Sequence, residues 1–215
     1  MIAAFAIPGF AADDKMTFFI TSVGGGNGAE LGGLEGADAH CSKLAEAAGA
    51  TGKTWRAYLS ATMLIDRSGG RPYKITPGVN ARERIGSGPG YNTKGEMIAK
   101  NVDDLQSANA NIRKMSALDE NGNPVNGRGD KPNRHDILTG SGPLGRYSTA
   151  GGDTTCKNWT EDFEGSAIVG HHDRAGLNDA WNMLSWNTSH GTRGCSQEDL
   201  KKTGGDGLFY CFAAD

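Results

Sequence analysis

Leu208-Phe-Tyr-Cys-Phe-Ala213, near the end of the sequence, is an unbroken apolar and aromatic run that reads as the last β-strand. Just before it, Ser196-Gln-Glu-Asp199 has the form of a capping-box helix start, and Thr203-Gly-Gly205 ends that short helix. Further back, Thr54-Trp-Arg-Ala-Tyr-Leu-Ser60 alternates Trp55, Ala57 and Leu59 against Arg56, Tyr58 and Ser60, the period of a half-buried strand. From Ala37 to Ala48 the apolar residues Ala37, Cys41, Leu44, Ala45 and Ala48 form a helical stripe, with Gly49 placed as its C-cap. Cys41 lies on that stripe, so its sulfur is expected to face the core. Met16-Thr-Phe-Phe-Ile-Thr21 reads as the first strand, broken by Gly24-Gly-Gly-Asn-Gly28. Strands and helices in this order define an α+β chain.

Composition narrows the class. The 33 glycines in 215 residues are about twice average usage, and only 37% of residues are hydrophobic. Residues 66–155 hold six of the seven prolines and repeated Gly, Asn and Asp clusters, so they are expected to be mostly loop. Ordered loops of that length usually carry function. A net charge of -3 provides no basic surplus for a phosphate backbone, which argues against nucleic acid as a partner. There is no run of about 18 apolar residues, so a transmembrane segment is not expected.

Residues 1–11 are largely apolar, with Gly9 and Ala11 at the −3 and −1 positions of a signal-peptidase site. They read as the remnant of a secretory signal, leaving one domain over residues 12–215. Four cysteines, Cys41, Cys156, Cys195 and Cys211, make an even set and favour two disulfides in a secreted or periplasmic protein. The residues alone leave all three pairings open.

Six pieces occur in a fixed order: Gly36-Ala-Asp-Ala-His-Cys41, Thr54-Trp-Arg-Ala-Tyr-Leu-Ser60, Asp136-Ile-Leu-Thr-Gly-Ser141, Cys156-Lys-Asn-Trp159, Gly194-Cys195 and Phe209-Tyr-Cys211. Together they resemble the endostatin domain of collagens and, more broadly, bacterial lectin-like proteins. The resemblance implies a C-type-lectin-like fold: antiparallel strands with paired terminal strands, two helices and a long loop region. It also implies the nested disulfides Cys41–Cys211 and Cys156–Cys195. Sugar-binding members hold calcium through a Glu-Pro-Asn or Gln-Pro-Asp loop and a Trp-Asn-Asp strand. Here Thr188 follows Trp186-Asn187 and neither loop is present, so calcium-dependent sugar binding by that route is not expected. Nor is there an arginine cluster like the one endostatin uses for heparin.

The segment between Cys156 and Cys195 concentrates the chemistry. His171, His172, Asp173 and His190 form a ligand set of the kind zinc or copper prefers. Neighbouring residues on a strand face opposite ways, so one of His171 and His172 is expected to join His190. Trp181, Asn182, Asn187, His190 and Arg174 offer the aromatic and polar groups that suit a sugar. Trp159 and Trp186 are expected to be core anchors, and Trp181 to lie nearer the surface. Asp119-Glu-Asn-Gly-Asn-Pro-Val-Asn-Gly-Arg-Gly-Asp130 is rich in oxygen donors and is a candidate calcium loop. Pro124 stands where an EF-hand needs glycine, so it is not an EF-hand.

Three functions remain in play. The first is an extracytoplasmic module binding a glycan or another cell-surface polymer. The second is a metal-dependent extracytoplasmic enzyme using His171, His172 and His190. The third is a structural or assembly component of the cell surface.

Overall fold

The computed structural model describes residues 12–149 and 152–215; the expected signal remnant at 1–11 lies outside them. In order, the elements are β1 (Phe18–Ile20), α1 (Gly33–Ala47), β2 (Trp55–Ala57), β3 (Leu64–Asp66), β4 (Lys74–Thr76), β5 (Gly90–Tyr91), β6 (Met97–Ala99) and α2 (Val102–Leu105). They continue with β7 (Asp136–Leu138), α3 (Cys156–Trp159), β8 (Ile168–His171), β9 (His190–Gly191), α4 (Gln197–Thr203) and β10 (Gly205–Ala213). The chain is α+β, with small sheets and two disulfides. Among the described residues no helix is long and apolar enough to cross a membrane.

The terminal apolar run is the hub. β10 pairs antiparallel with β1, where Cys211 faces Phe19, and with β2, where Cys211 faces Ala57. Its first half pairs with β7, setting Gly205 opposite Asp136 and Phe209 opposite Leu138. That pairing is parallel, which corrects the expectation of antiparallel strands throughout. β7, β8 and β9 run antiparallel in turn, and the segment holding α4 then returns the chain to the end where β7 began.

Side chains leave β10 on both faces. Phe209 and Cys211 join one apolar cluster with Phe19, Cys41, Trp55, Leu138, Trp159 and Val169. Leu208, Tyr210 and Phe212 join another with Phe18, Ile20, Tyr58, Ile112 and Trp186. A strand buried on both faces reads as continuous apolar sequence, as this one does. The predicted helix exists as α1 with its Ala37, Cys41 and Ala45 stripe inward. Ser196 caps α4 by accepting a hydrogen bond from the Asp199 amide. Among the described residues the expected pair of α-helices becomes four, because α2 and α3 each add a single turn.

α3 is unusual, since Cys156, Lys157, Asn158 and Trp159 all have positive φ, from 46° to 67°. Left-handed conformation costs about 1–2 kcal/mol per residue, so surrounding bonds must impose it. Asp153 accepts from the Thr155 and Lys157 amides. Asn158 ties the turn to Thr62, accepting from its amide at 2.8 Å. The buried Trp159 indole donates to the Ser60 carbonyl at 2.8 Å. Cys156 is held by Cys195, inside the span closed by Cys41–Cys211. Loop-closure entropy for separations of 170 and 39 residues gives upper stabilisations of about 5 and 4 kcal/mol.

Non-reducing peptide mapping should recover Cys41–Cys211 and Cys156–Cys195, and reduction should lower unfolding free energy by a few kcal/mol. Replacing Trp159 or the buried Trp186 with Ala should cost about 3–5 kcal/mol in denaturant titration. Trp181 is 68% exposed, and its replacement with Ala should change stability by less than about 0.5 kcal/mol.

Candidate metal centre

Register brings the polar residues together. Asp136 opens β7 directly opposite His171, the last residue of β8. His190 on β9 lies opposite Val169, two residues from His171 and therefore on the same face of the sheet. Leu138 and Val169 occupy that face further along, within the core. The apolar layer thus ends in a carboxylate and imidazoles, with His135 added from the residue before β7.

Their distances are close to those of a metal shell. Asp136 Oδ1 lies 3.2 Å from Nε2 of His135, 3.2 Å from Nε2 of His171 and 3.6 Å from Nε2 of His190. The Nε2 atoms of His171 and His190 are 3.1 Å apart. Bonds of about 2.0–2.1 Å in a tetrahedron give ligand separations of about 3.3–3.4 Å. His135, Asp136 and His171 present ligand atoms within 4.8 Å of one another, and all three are buried.

The outer nitrogens show which way the lone pairs point. His171 Nδ1 lies 2.7 Å from the Met183 carbonyl, His135 Nδ1 lies 3.3 Å from Asp173 Oδ1, and His190 Nδ1 lies 3.2 Å from the Gly191 carbonyl. Each acceptor favours the tautomer with the ring proton on Nδ1, which turns the Nε2 lone pair toward Asp136 and the space a metal would fill. A carbonyl or carboxylate behind each ring is the arrangement that orients metal-ligating histidines. Burial pushes the His171 imidazole down, but the Asp136 carboxylate and the Met183 carbonyl outweigh it and hold the ring above its ordinary value. The site therefore favours positive charge. Both Asp136 oxygens are buried without a hydrogen-bond partner, and the side chain is 1% exposed. While the imidazoles facing it are neutral, a buried carboxylate of this kind is costly, and a cation bound between them removes that cost.

Glycines make the closure possible. A Cβ on Gly170 would lie 1.9 Å from the Trp186 carbonyl oxygen, so only glycine lets the 183–187 segment cross β8 and set Met183 behind His171. Gly204 has a φ of +136°, and a Cβ there would lie 3.0 Å from Asp136 Oδ2. A Cβ on Gly127 would lie 2.7 Å from Asp173, whose carboxylate also accepts the Arg128 amide.

Several sequence candidates do not join this centre. His172 faces away, and its Nε2 lies 3.2 Å from the Asn126 carbonyl. Burial lowers its pKa to about 4, so it stays neutral. Asp173 supports His135 from behind rather than facing the cluster; burial would raise its pKa, but His135 and the Arg128 amide hold it well below the usual carboxylate range. Asn187 is buried, its amide donating to Gln106 Oε1 at 3.0 Å and the Pro143 carbonyl at 3.1 Å. Arg174 donates to the carbonyls of Ile112 and Ala110. Asn182 donates to the Ser189 carbonyl, and Trp181 projects from the same loop into solvent. In the candidate calcium loop, Asp119 accepts the Asn121 and Asn123 amides, Glu120 accepts from Ser22, and Asp130 accepts the Gly127 amide.

His135 and Asp136 were the residues that sequence reading passed over. Their signal is a His-Asp pair opening the apolar step Ile137-Leu138, inside a segment whose prolines and glycines read as loop.

A cavity of about 200 Å³ opens onto the cluster, lined by His135, His171 and His190 with Arg128, Asn133 and Met183 among its walls. A larger one, about 670 Å³, lies beside Thr62, Leu64, Tyr147 and Lys157, where no comparable set of nitrogen donors converges among the described residues. Compared with models of known protein families, the chain matches none. A comparison with curated proteins gives no match either.

Proposed function

We propose that this protein is an extracytoplasmic binding module whose ligand site is organised by a divalent transition metal, held by His135, Asp136 and His171 with His190 at the rim. The carrying observation is the convergence of three Nε2 atoms on a buried carboxylate that no other hydrogen-bond donor reaches among the described residues. Imidazole donors favour zinc or copper, whereas calcium takes oxygen ligands. Two disulfides fit an oxidising compartment, which supports export. The pairing of β1 with β10, the nested disulfides and the long loop region support a C-type-lectin-like reading of the fold. On that reading, glycans or cell-surface polymers are the ligand class, with Trp181 available for stacking.

A metal-dependent enzyme is the second reading, favoured by the cavity beside His190, where a metal-bound water would have room. The exposed hairpin of β3 and β4, with Leu64, Ile65 and Ile75 outward, is what an assembly component would present.

Protein dialysed against zinc and then desalted should retain one zinc per chain by elemental analysis. Zinc at a hundredfold excess over its Kd should raise unfolding free energy by about 2.7 kcal/mol. His171→Ala and Asp136→Asn should each lose that stabilisation, while Trp181→Ala should keep it. Wild-type protein that retains no zinc or copper would sink the proposal.

A further inference from the structure

The four donors are not equally held. His135, Asp136 and His171 are buried, whereas the His190 side chain is 33% exposed and its Nε2 is the farthest of the three from Asp136, at 3.6 Å. Its Nδ1 rests only on the carbonyl of its own neighbour, Gly191. His190 also lines the cavity, so the side of the centre that can exchange a ligand faces open space. With His135, Asp136 and His171 as the three fixed ligands, the fourth tetrahedral position, which catalytic and ligand-binding sites keep exchangeable and structural ones close, lies on the His190 side.

The cavity wall states what that position would accept. Apart from the cluster's own residues, the lining consists of Arg128, Asn133, Gly176, Leu177, Met183 and Thr203. Arg128 is the one ionic group among these six, and none of them is acidic. Asp136 and Asp173 together offset a divalent cation, which leaves Arg128 in the cavity wall as surplus positive charge. A neutral ligand would cover that surplus without compensating it, and an anion would neutralise it. Asn133 and Thr203 add hydrogen-bonding groups, and Leu177 with Met183 forms an apolar wall for the rest of the molecule.

Building on the metal reading, we propose that the exchangeable position binds an oxyanion carried by the ligand, a carboxylate or a phosphate, with Arg128 as its second contact. A polymer bearing acidic sugars or phosphate groups would supply either chemistry. Asp173 acts as a positioning residue for this pair: it accepts the Arg128 amide and backs the His135 ring.

Cobalt(II) loaded in place of zinc gives visible absorption that reports the coordination shell. Acetate, glucuronate and inorganic phosphate, titrated separately into the cobalt protein, should each be scored for a saturable spectral change. A change with phosphate alone identifies phosphate groups as the source, and one with acetate and glucuronate identifies carboxylates. Arg128→Ala should weaken the effective anion about tenfold, the loss of one charge-assisted contact, and Arg128→Lys should restore part of it. A cobalt spectrum that none of the three anions moves would overturn the inference and leave the metal centre standing. So would an anion response of equal affinity in Arg128→Ala. If the protein takes up no cobalt, the metal reading fails and this inference fails with it.

Discussion

A strand with neighbours along both edges and apolar side chains on both faces has no alternative register that keeps its surface dry. β10 is such a strand, bonded to β1, β2 and β7 and feeding two apolar clusters. Sliding it by one residue would exchange the inward sets of both faces and move Cys211 away from Cys41. The disulfide, α1 and the paired terminal strands all hang on that register. The loops then have fixed ends to span, which lets a chain with so much glycine and proline hold one conformation.

The polar centre is a by-product of where this packing stops. β7 and β8 continue past Leu138 and Val169 by one step of the pleat, and the next inward residues are Asp136 and His171. The core on one side and the 183–187 segment on the other bury Asp136 and His171, and the centre opens only through the cavity at His190. Low dielectric strengthens any interaction the site makes and raises the cost of leaving Asp136 uncompensated. That combination is poor design for stability alone, and natural chains carry such conflicts where a ligand resolves them.

Support for the centre comes from elements far apart in sequence. Met183 braces His171, Asp173 braces His135, and Gly204 leaves the space beside Asp136. The left-handed α3 turn and its disulfide anchor the start of the loop system that contains Asp173 and Met183. Rigid backing of this kind is what holds a donor in place before its ligand arrives.

Much of the skeleton was legible in the residues themselves. The helical stripe through Cys41, the cap at Ser196 and the apolar run of β10 are local patterns, and each formed within a few residues of its expected bounds. Burial of Trp159 and Trp186 and exposure of Trp181 followed from the same local reasoning. Parallel pairing of β7 with β10 did not, because three residues in a proline-rich stretch carry too little periodicity to announce a strand. The site shared that fate. His171 and His190 were visible as a pair between cysteines, but His135 and Asp136 lie more than thirty residues upstream of His171. Only cross-strand register, a long-range property, sets Asp136 opposite His171. Short-range pattern determined which segments fold and which side chains they bury; the pairing of β7 between β8 and β10 decided which polar residues meet, because hydrogen bonding between distant strands leaves no trace in the spacing of either one.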